Sequence, residues 1–501
     1  MIAHLRNYPL FVLIMMIGAL SMLAPALHAA KLGELRVTQV FLSYSLFILI
    51  ISVIFGLALM NRTPRISARS HLITIFMVYT ILPVFLAMPF TSLIPSIGPM
   101  QGYFEMLSSL TTTGATLIDV PSSIAEPLHL WRALVAWMGG FFVLIIALSV
   151  MEPMNLGGFE IRSTVLGSDG GAGSYSASDP ADRITKYVIK IGPIYVAVTF
   201  ALMVLLFLLG DRAFVASIHA MSIISTSGIS PIGGIENSET GRLGEMFMVI
   251  FLLFAVSNRG FQNVGTAKWG WIKRDVEVRL ALIAIIGVPL LLFMRHWIAS
   301  FEVSTQQDVA AAFAAFWGSV FTVMSFMTTT GFESADWQTA QNWSGLSTPG
   351  VMFLALAVMG GGVATTAGGV KLLRVYALYK HGLREMERLV HPTSVGGAGM
   401  AARRFRREGA FMAWIFLMLF LVGIAVIMLS LSFVGVGFDD AIALSVAAVT
   451  NTGPVAGMLD SGLRYTDVGT YEQMILCVGM VFGRVEVLAL IALFNPNYWR
   501  R

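Results

Sequence analysis

The chain has 501 residues, of which 56% are hydrophobic and 12% charged, where an ordinary soluble domain carries about 25% charge. That balance excludes a string of soluble domains, because the apolar residues come in runs of about 20, the length that crosses a hydrocarbon core as helix. The formal charge of +4 is spread over short loops, so no basic face is offered to nucleic acid, and the single cysteine, Cys477, permits no intrachain disulfide.

Ten runs read as spans. Leu10 to Leu27 follows His4 and Arg6 but is long for a signal-peptide core, which makes it a first membrane helix. Val40 to Met60 completes an initial pair, followed by Leu72 to Pro89, Leu130 to Val150, Tyr187 to Leu209 and Leu243 to Ser257. Val276 to Met294, Val351 to Tyr379, Ala410 to Leu431 and Met474 to Phe494 complete the set; the sixth run is short and the eighth is interrupted. Gly167 to Asp179, GSDGGAGSYSASD, reads as a flexible cytoplasmic linker. Arg62, Arg65, Arg162, Arg183, Lys273, Lys371, Arg374 and Arg403 fall in alternate loops, and Asp119, Glu236, Glu333 and Asp439 in the others. Basic loops stay in the cytoplasm, which predicts both termini there.

Four of the outer loops share one pattern. They read FEMLSSLTTTGAT from Phe104, IHAMSIISTSGIS from Ile218, FTVMSFMTTTGFE from Phe321 and ALSVAAVTNTGPV from Ala443. Their glycines, Gly114, Gly228, Gly331 and Gly453, recur at intervals too long for a solenoid and so mark whole duplicated modules. The expected fold is an all-α polytopic membrane protein in which four pseudo-symmetric helix, re-entrant P-loop, helix repeats surround one pore. The divisions are an N-terminal helix pair at 1–70 and repeats at 71–165, 166–275, 276–395 (with a broken second helix) and 396–501.

Backbone that is neither helix nor closed barrel survives at membrane depth only when buried in protein or lining a watery cavity. A cation filter supplies a reason for four such segments, because backbone carbonyls can replace the hydration shell of an alkali ion. Glycine permits the angles that turn carbonyls to the axis, and the neighbouring Thr and Ser add hydroxyl oxygens. Exposed Ser/Thr/Gly turns have the same composition, but four of them on one side, each between two spans, argue for the filter.

Gly360, Gly361, Gly362, Gly368 and Gly369 bracket Val363 to Ala367, with Thr365 and Thr366 inside. Glycine at this density discourages continuous helix; a kink or a close packing face is the simpler reading. No strand precedes it, which excludes a dinucleotide fingerprint. Arg484 falls within the last run, where an arginine is costly and is by default a functional candidate, or else a structural partner of a carboxylate such as Glu486.

SSLTTTGAT, LWRALVAWMGG, TTTGF, TAGGVKLLR, RLVHP, NTGP and GRVEVLALIALFNPNYWR occur in that order along the chain. With them the chain resembles the Trk/Ktr/HKT superfamily of potassium transporters over essentially its whole length. The resemblance implies a potassium filter lined by Thr112, Thr113 and Gly114; Thr226, Ser227 and Gly228; Thr329, Thr330 and Gly331; and Asn451, Thr452 and Gly453. The second tetrad, STSG, departs most from the pattern. In related plant transporters a serine at the first glycine position accompanies sodium transport, so Gly114 favours potassium. It further implies that Gly360 to Gly369 is an intramembrane gating loop under the filter and that Arg484 projects into the cavity there. A homodimer in the bacterial inner membrane and a cytoplasmic nucleotide-binding regulatory ring, TrkA-like, are the implied partners.

The expected function is potassium uptake through a channel-like pore, with no cofactor beyond the potassium ion as substrate. The alternative is symport with protons or sodium, for which Glu105 and Glu486 are the only titratable candidates. Paired catalytic carboxylates and metal-ligand spacings are missing from the spans, which argues against an enzyme.

Overall fold

The computed structural model describes residues 8–59, 67–152, 180–263, 275–299, 309–345, 349–391, 409–459 and 463–485. The described residues contain helices, turns and loops, and no strand. Among them, 8 helices are long and apolar enough to cross a membrane. The first two, Leu10–Leu32 and Leu35–Leu59, form the initial pair and turn at Gly33. Leu46, Ile54, Leu57, Leu208, Ile283 and Leu291 lie exposed on the outer surface, where only a hydrocarbon solvent favours so much apolar side chain.

The remaining helices follow one order, repeated. A long helix is followed by an inserted helix that ends at a tetrad, and then by a second helix that is long at Glu126–Ile146 and shorter or broken further along the chain. The inserted helices are Pro99–Leu110, Ala213–Ser225, Val309–Met327 and Phe438–Thr450. Each packs against helices on either side of it in the chain. The first starts with proline at its first position, and the Gln101 side chain accepts the Gly98 N–H at 2.9 Å, a start signal written into the sequence. The fourth carries Asp439 and Asp440 in its first turn, favourable to the positive end of the helix dipole.

One element differs from the sequence expectation, while the short sixth run and the interrupted eighth agree with it. Val309–Met327 meets the length and apolarity of a span, since an alanine-rich stretch extends it beyond the expected short segment. Its second half is sealed in protein, with Phe321, Val323, Phe326 and Met327 at 0% exposure, which separates it from a lipid-facing helix. The sixth run is a helix of 16 residues, Gly241–Val256, too short to span unaided. The eighth is two helices, Gly350–Met359 and Leu372–Val390, with the glycine stretch between them. The tenth is described as Thr470–Val485; the rest of that run, Glu486 included, lies outside the described residues, as do the glycine/serine linker and the boundaries at 165 and 395.

Two glycines bring the second helices against the ends of inserted helices. A Cβ on Gly139 would overlap the Leu110 carbonyl, and one on Gly483 would overlap the Val449 carbonyl, each at the last turn of an inserted helix. The same relation in the first and fourth repeats explains why LWRALVAWMGG and GRVEV carry glycine at those points. Gly139→Leu is therefore expected to cost about 1–3 kcal/mol through overpacking, read as a lower melting temperature of the purified protein in detergent.

The candidate ion pathway

All four inserted helices end in the same way. The N–H groups of Thr112, Thr226, Thr329 and Asn451 reach the carbonyls three residues back at 2.9, 3.3, 3.1 and 3.2 Å. Those of Thr113, Ser227, Thr330 and Thr452 reach five residues back, to Ser108, Ser222, Ser325 and Ala447, at 2.8, 3.0, 2.9 and 2.9 Å. This is the Schellman arrangement, which normally places glycine at the left-handed position. Here that position holds Thr112, Thr226, Thr329 and Asn451, with φ of 55°, 55°, 60° and 55°. Left-handed threonine costs on the order of 1–3 kcal/mol, so the side chain must be needed there.

Two residues later comes the glycine. Gly114, Gly228 and Gly331 are left-handed, with φ of 74°, 64° and 81°. Gly453 is not among the left-handed residues, which corrects the expectation that one backbone requirement explains all four glycines. Its need is space: a Cβ there would overlap Ala115, and its N–H donates to the Thr113 carbonyl at 2.6 Å. Likewise a Cβ on Gly114 would overlap the Ser227 carbonyl, one on Gly228 the Thr330 carbonyl, and one on Gly331 would lie 2.8 Å from Pro454. The segments thus touch in the order first, second, third, fourth and first again, a closed ring. Thr112, Thr113, Thr226, Ser227, Thr329, Thr330, Asn451 and Thr452 are all buried in it.

Behind the ring lie buried polar groups that the sequence reading did not single out as supports. Glu105 pairs with Arg132 at 3.0 Å and accepts from Thr116 Oγ1 at 2.8 Å and from the Leu117 N–H. His219 Nε2 is 3.0 Å from Ser230 Oγ. Glu245 accepts from Trp317 Nε1, Ser334 Oγ and the Ala335 N–H at 2.8, 2.8 and 2.7 Å. Tyr465 donates its hydroxyl proton to the Gly453 carbonyl at 2.9 Å. In every repeat such a group holds the chain at or just beyond the glycine. The signal available in sequence was a charged or imidazole side chain within an apolar run, at Glu105, Arg132, His219 and Glu245. Glu105, expected as a titratable coupling candidate, is engaged with Arg132 and the returning segment.

The glycine stretch is an ordered, buried loop, which decides between loop and kink. Gly360, Ala364 and Gly369 are left-handed, and Gly362 donates to the Ala255 carbonyl at 3.0 Å. The Val363 N–H is held by Glu277 Oε1 at 2.7 Å, and Thr365 donates to the Gly362 carbonyl at 2.8 Å. The loop lies against the ends of the inserted helices. Thr366 Oγ1 donates to the Ile224 carbonyl at 3.3 Å, and the Gly368 N–H donates to Thr329 Oγ1 at 2.8 Å. A Cβ on Gly368 would overlap the Thr450 carbonyl, while Gly361 packs on Ala367 and Ala255. Arg484, 7% exposed, donates to the Thr366 carbonyl at 2.8 Å and to Thr112 Oγ1 at 2.6 Å. Loop and arginine thus reach all four repeats, and both border a cavity of about 60 Å³ with Tyr79, Lys371 and Phe482 among its walls. No group of three or more His, Cys, Asp or Glu placed to hold a metal ion occurs among the described residues.

Glu333 follows the third tetrad on the opposite side from the loop. Burial, with the Glu236 carboxylate as second cause, pushes its carboxyl up to about 7. Glu236 is raised by its own burial, with His219 and Glu245 also acting on it. Difference infrared spectra are expected to show a protonated carboxyl band that disappears with a midpoint near pH 7 and is missing in Glu333→Gln. A midpoint in the ordinary carboxylate range, about 4.3, would show that water reaches the group.

The model of the TrkH family, described as cation transport protein, matches residues 274–501. The Trk system potassium uptake protein TrkH of Escherichia coli K12 is 28% identical over 451 residues, 88% of each chain. Trk system potassium uptake protein TrkG of the same organism is 26% identical over 411 residues, 80% of this chain and 79% of that one. The crystal structure of the potassium transporter TrkH from Vibrio parahaemolyticus superposes with a TM-score of 0.80 at 25% identity, covering 99% of this chain and 100% of the other. Residues 274–501 thus match the TrkH family of cation transport proteins, and the chain shares its all-helical multi-span architecture over nearly its full length with a potassium transporter of that name.

Proposed function

We propose that the protein takes up potassium across the inner membrane through a single pore lined by the four tetrads. The observation that carries this reading is the closed ring. Four helix ends of one geometry meet at Gly114, Gly228, Gly331 and Gly453 with their backbones in contact. Such a ring presents carbonyl oxygens that can replace the hydration shell of a dehydrated alkali cation. The inserted helices act as pore helices, and residues 71–165, 166–275, 276–395 and 396–501 as the four pore repeats. Thr112, Thr113 and Gly114 line the filter with Thr226, Ser227 and Gly228, Thr329, Thr330 and Gly331, and Asn451, Thr452 and Gly453. Relatives named potassium uptake proteins support potassium as the ion.

Gly360, Gly361, Gly362, Thr365, Thr366, Gly368 and Gly369 form the gate, and Arg484 hinders permeation from beneath. The buried guanidinium bonded to Thr112 supports this role, because a fixed positive charge close to the path repels a cation strongly where water is scarce. The protein works as a homodimer with both termini cytoplasmic, and a nucleotide-binding ring on that face acts on the gate through the basic helix that starts after Lys371. Potassium and sodium flux in proteoliposomes from the purified chain test the reading. A reversal potential that follows the potassium gradient alone is expected, and one that follows proton or sodium gradients would establish symport instead.

Two substitutions follow. Gly114→Ser puts a Cβ into the Ser227 carbonyl and is expected to lower the potassium-to-sodium flux ratio by about tenfold, the consequence of about 1.4 kcal/mol of lost discrimination. Arg484→Ala is expected to raise potassium flux with the flux ratio unchanged, and a folded variant with equal or lower flux would remove the barrier role.

A further inference from the structure

The left-handed threonines have a use that the turn itself does not supply. Glycine would close the same Schellman motif without strain, yet Thr112 and Thr329 stand there, and the oxygens they add are both taken. Thr112 Oγ1 accepts from Arg484 at 2.6 Å, and Thr329 Oγ1 accepts from the Gly368 N–H at 2.8 Å. These oxygens sit at the inner end of the tetrads, the first side-chain oxygens an ion leaving the ring towards the loop would meet. The loop lies centrally there, since Thr366 reaches the second repeat, Gly368 the third and fourth, and Arg484 the first.

We propose that the loop with Arg484 and a permeating potassium ion compete for the same hydroxyl oxygens, Thr112 Oγ1 and Thr329 Oγ1. Ion occupancy of the inner end and withdrawal of the loop are then one coupled equilibrium. The inference rests on the pore reading above and adds to it a control by the transported ion itself. An N–H that points at a hydroxyl oxygen fills the direction an ion would use, and the guanidinium adds like-charge repulsion. The ion therefore binds only the withdrawn state. A ligand with that preference raises the withdrawn population by the factor one plus its concentration over its dissociation constant.

The test uses the full chain in proteoliposomes with Cys477→Ala and a reporter, Ala367→Cys, whose native side chain is 0% exposed. The rate of thiol labelling is measured as potassium replaces choline at constant ionic strength. Labelling is expected to rise with potassium, approaching about tenfold per tenfold of potassium once the ion exceeds its dissociation constant. Thr329→Ala is expected to flatten the dependence and Thr329→Ser, which keeps the oxygen, to restore it; if the alanine variant does not fold, the serine variant and a second reporter at Ala364 carry the test. A labelling rate indifferent to potassium, in vesicles whose potassium flux is intact, overturns the competition and leaves the pore reading standing. Absence of potassium flux in the unmodified protein overturns both.

Discussion

Backbone that leaves the helix at membrane depth must find partners inside the protein, and this constraint shapes the molecule. Each tetrad solves it first with two bonds back into its own helix, to residues three and five behind. In the second and third segments the amide just beyond is taken by a serine of the inserted helix, Ser222 Oγ receiving the Ile229 N–H at 2.8 Å and Ser325 Oγ the Phe332 N–H at 2.7 Å. With the amides engaged in this way, the carbonyls are left as the groups that can face a cation. The serines of SIISTSG and SFMTTTG thus accept the amide beyond the glycine, whereas Ser108 of SSLTTTG donates to the Ala115 carbonyl at 2.7 Å.

The buried charges obey the same economy. Glu105 at 0% and Arg132 at 4% exposure would each be costly alone, and together they brace the first returning segment. Glu245 performs the equivalent task in the third repeat with three neutral donors in place of an arginine. Arg484 differs from both. It donates to the Thr366 carbonyl and the Thr112 hydroxyl, its Nε has no hydrogen-bond partner, and no carboxylate neutralises it among the described residues. A cation held by neutral acceptors keeps its field, unlike the paired charges of Glu105 and Arg132.

Much of this was legible in the sequence because membrane helices and repeated tetrads leave strong periodic signals. The positions of the four ring segments and of the interrupted eighth run follow from glycine, Thr/Ser and apolar run length. What stayed hidden depends on contacts between repeats. Gly453 looks like Gly114 in the sequence, yet one needs space beside Ala115 and the other also needs a left-handed backbone. Thr112 and Thr329 cannot be recognised as strained from TTTG alone, because strain belongs to the turn geometry. Val309–Met327 has the hydropathy of a span, and only its burial separates it from one.

The asymmetry among the repeats is the part of the design that symmetry cannot supply. Four equal repeats would close a ring but leave nothing to obstruct it. Here the third repeat opens its second helix into the long glycine loop, and Arg484 of the fourth crosses to Thr112 of the first. Glu277, from the first helix of the third repeat, holds the Val363 amide, so one limb of the loop is fastened within its own repeat. The other limb ends at Lys371, whose ammonium bonds the Ala367 carbonyl and whose backbone is left-handed, directly before the helix Leu372–Val390. That limb is fastened too, because the N–H groups of Val370, Lys371 and Leu372 donate to the Val358, Met359 and Gly361 carbonyls at 2.9, 3.1 and 2.9 Å, so both limbs close onto the helix end at Met359 while Gly368 touches the ring.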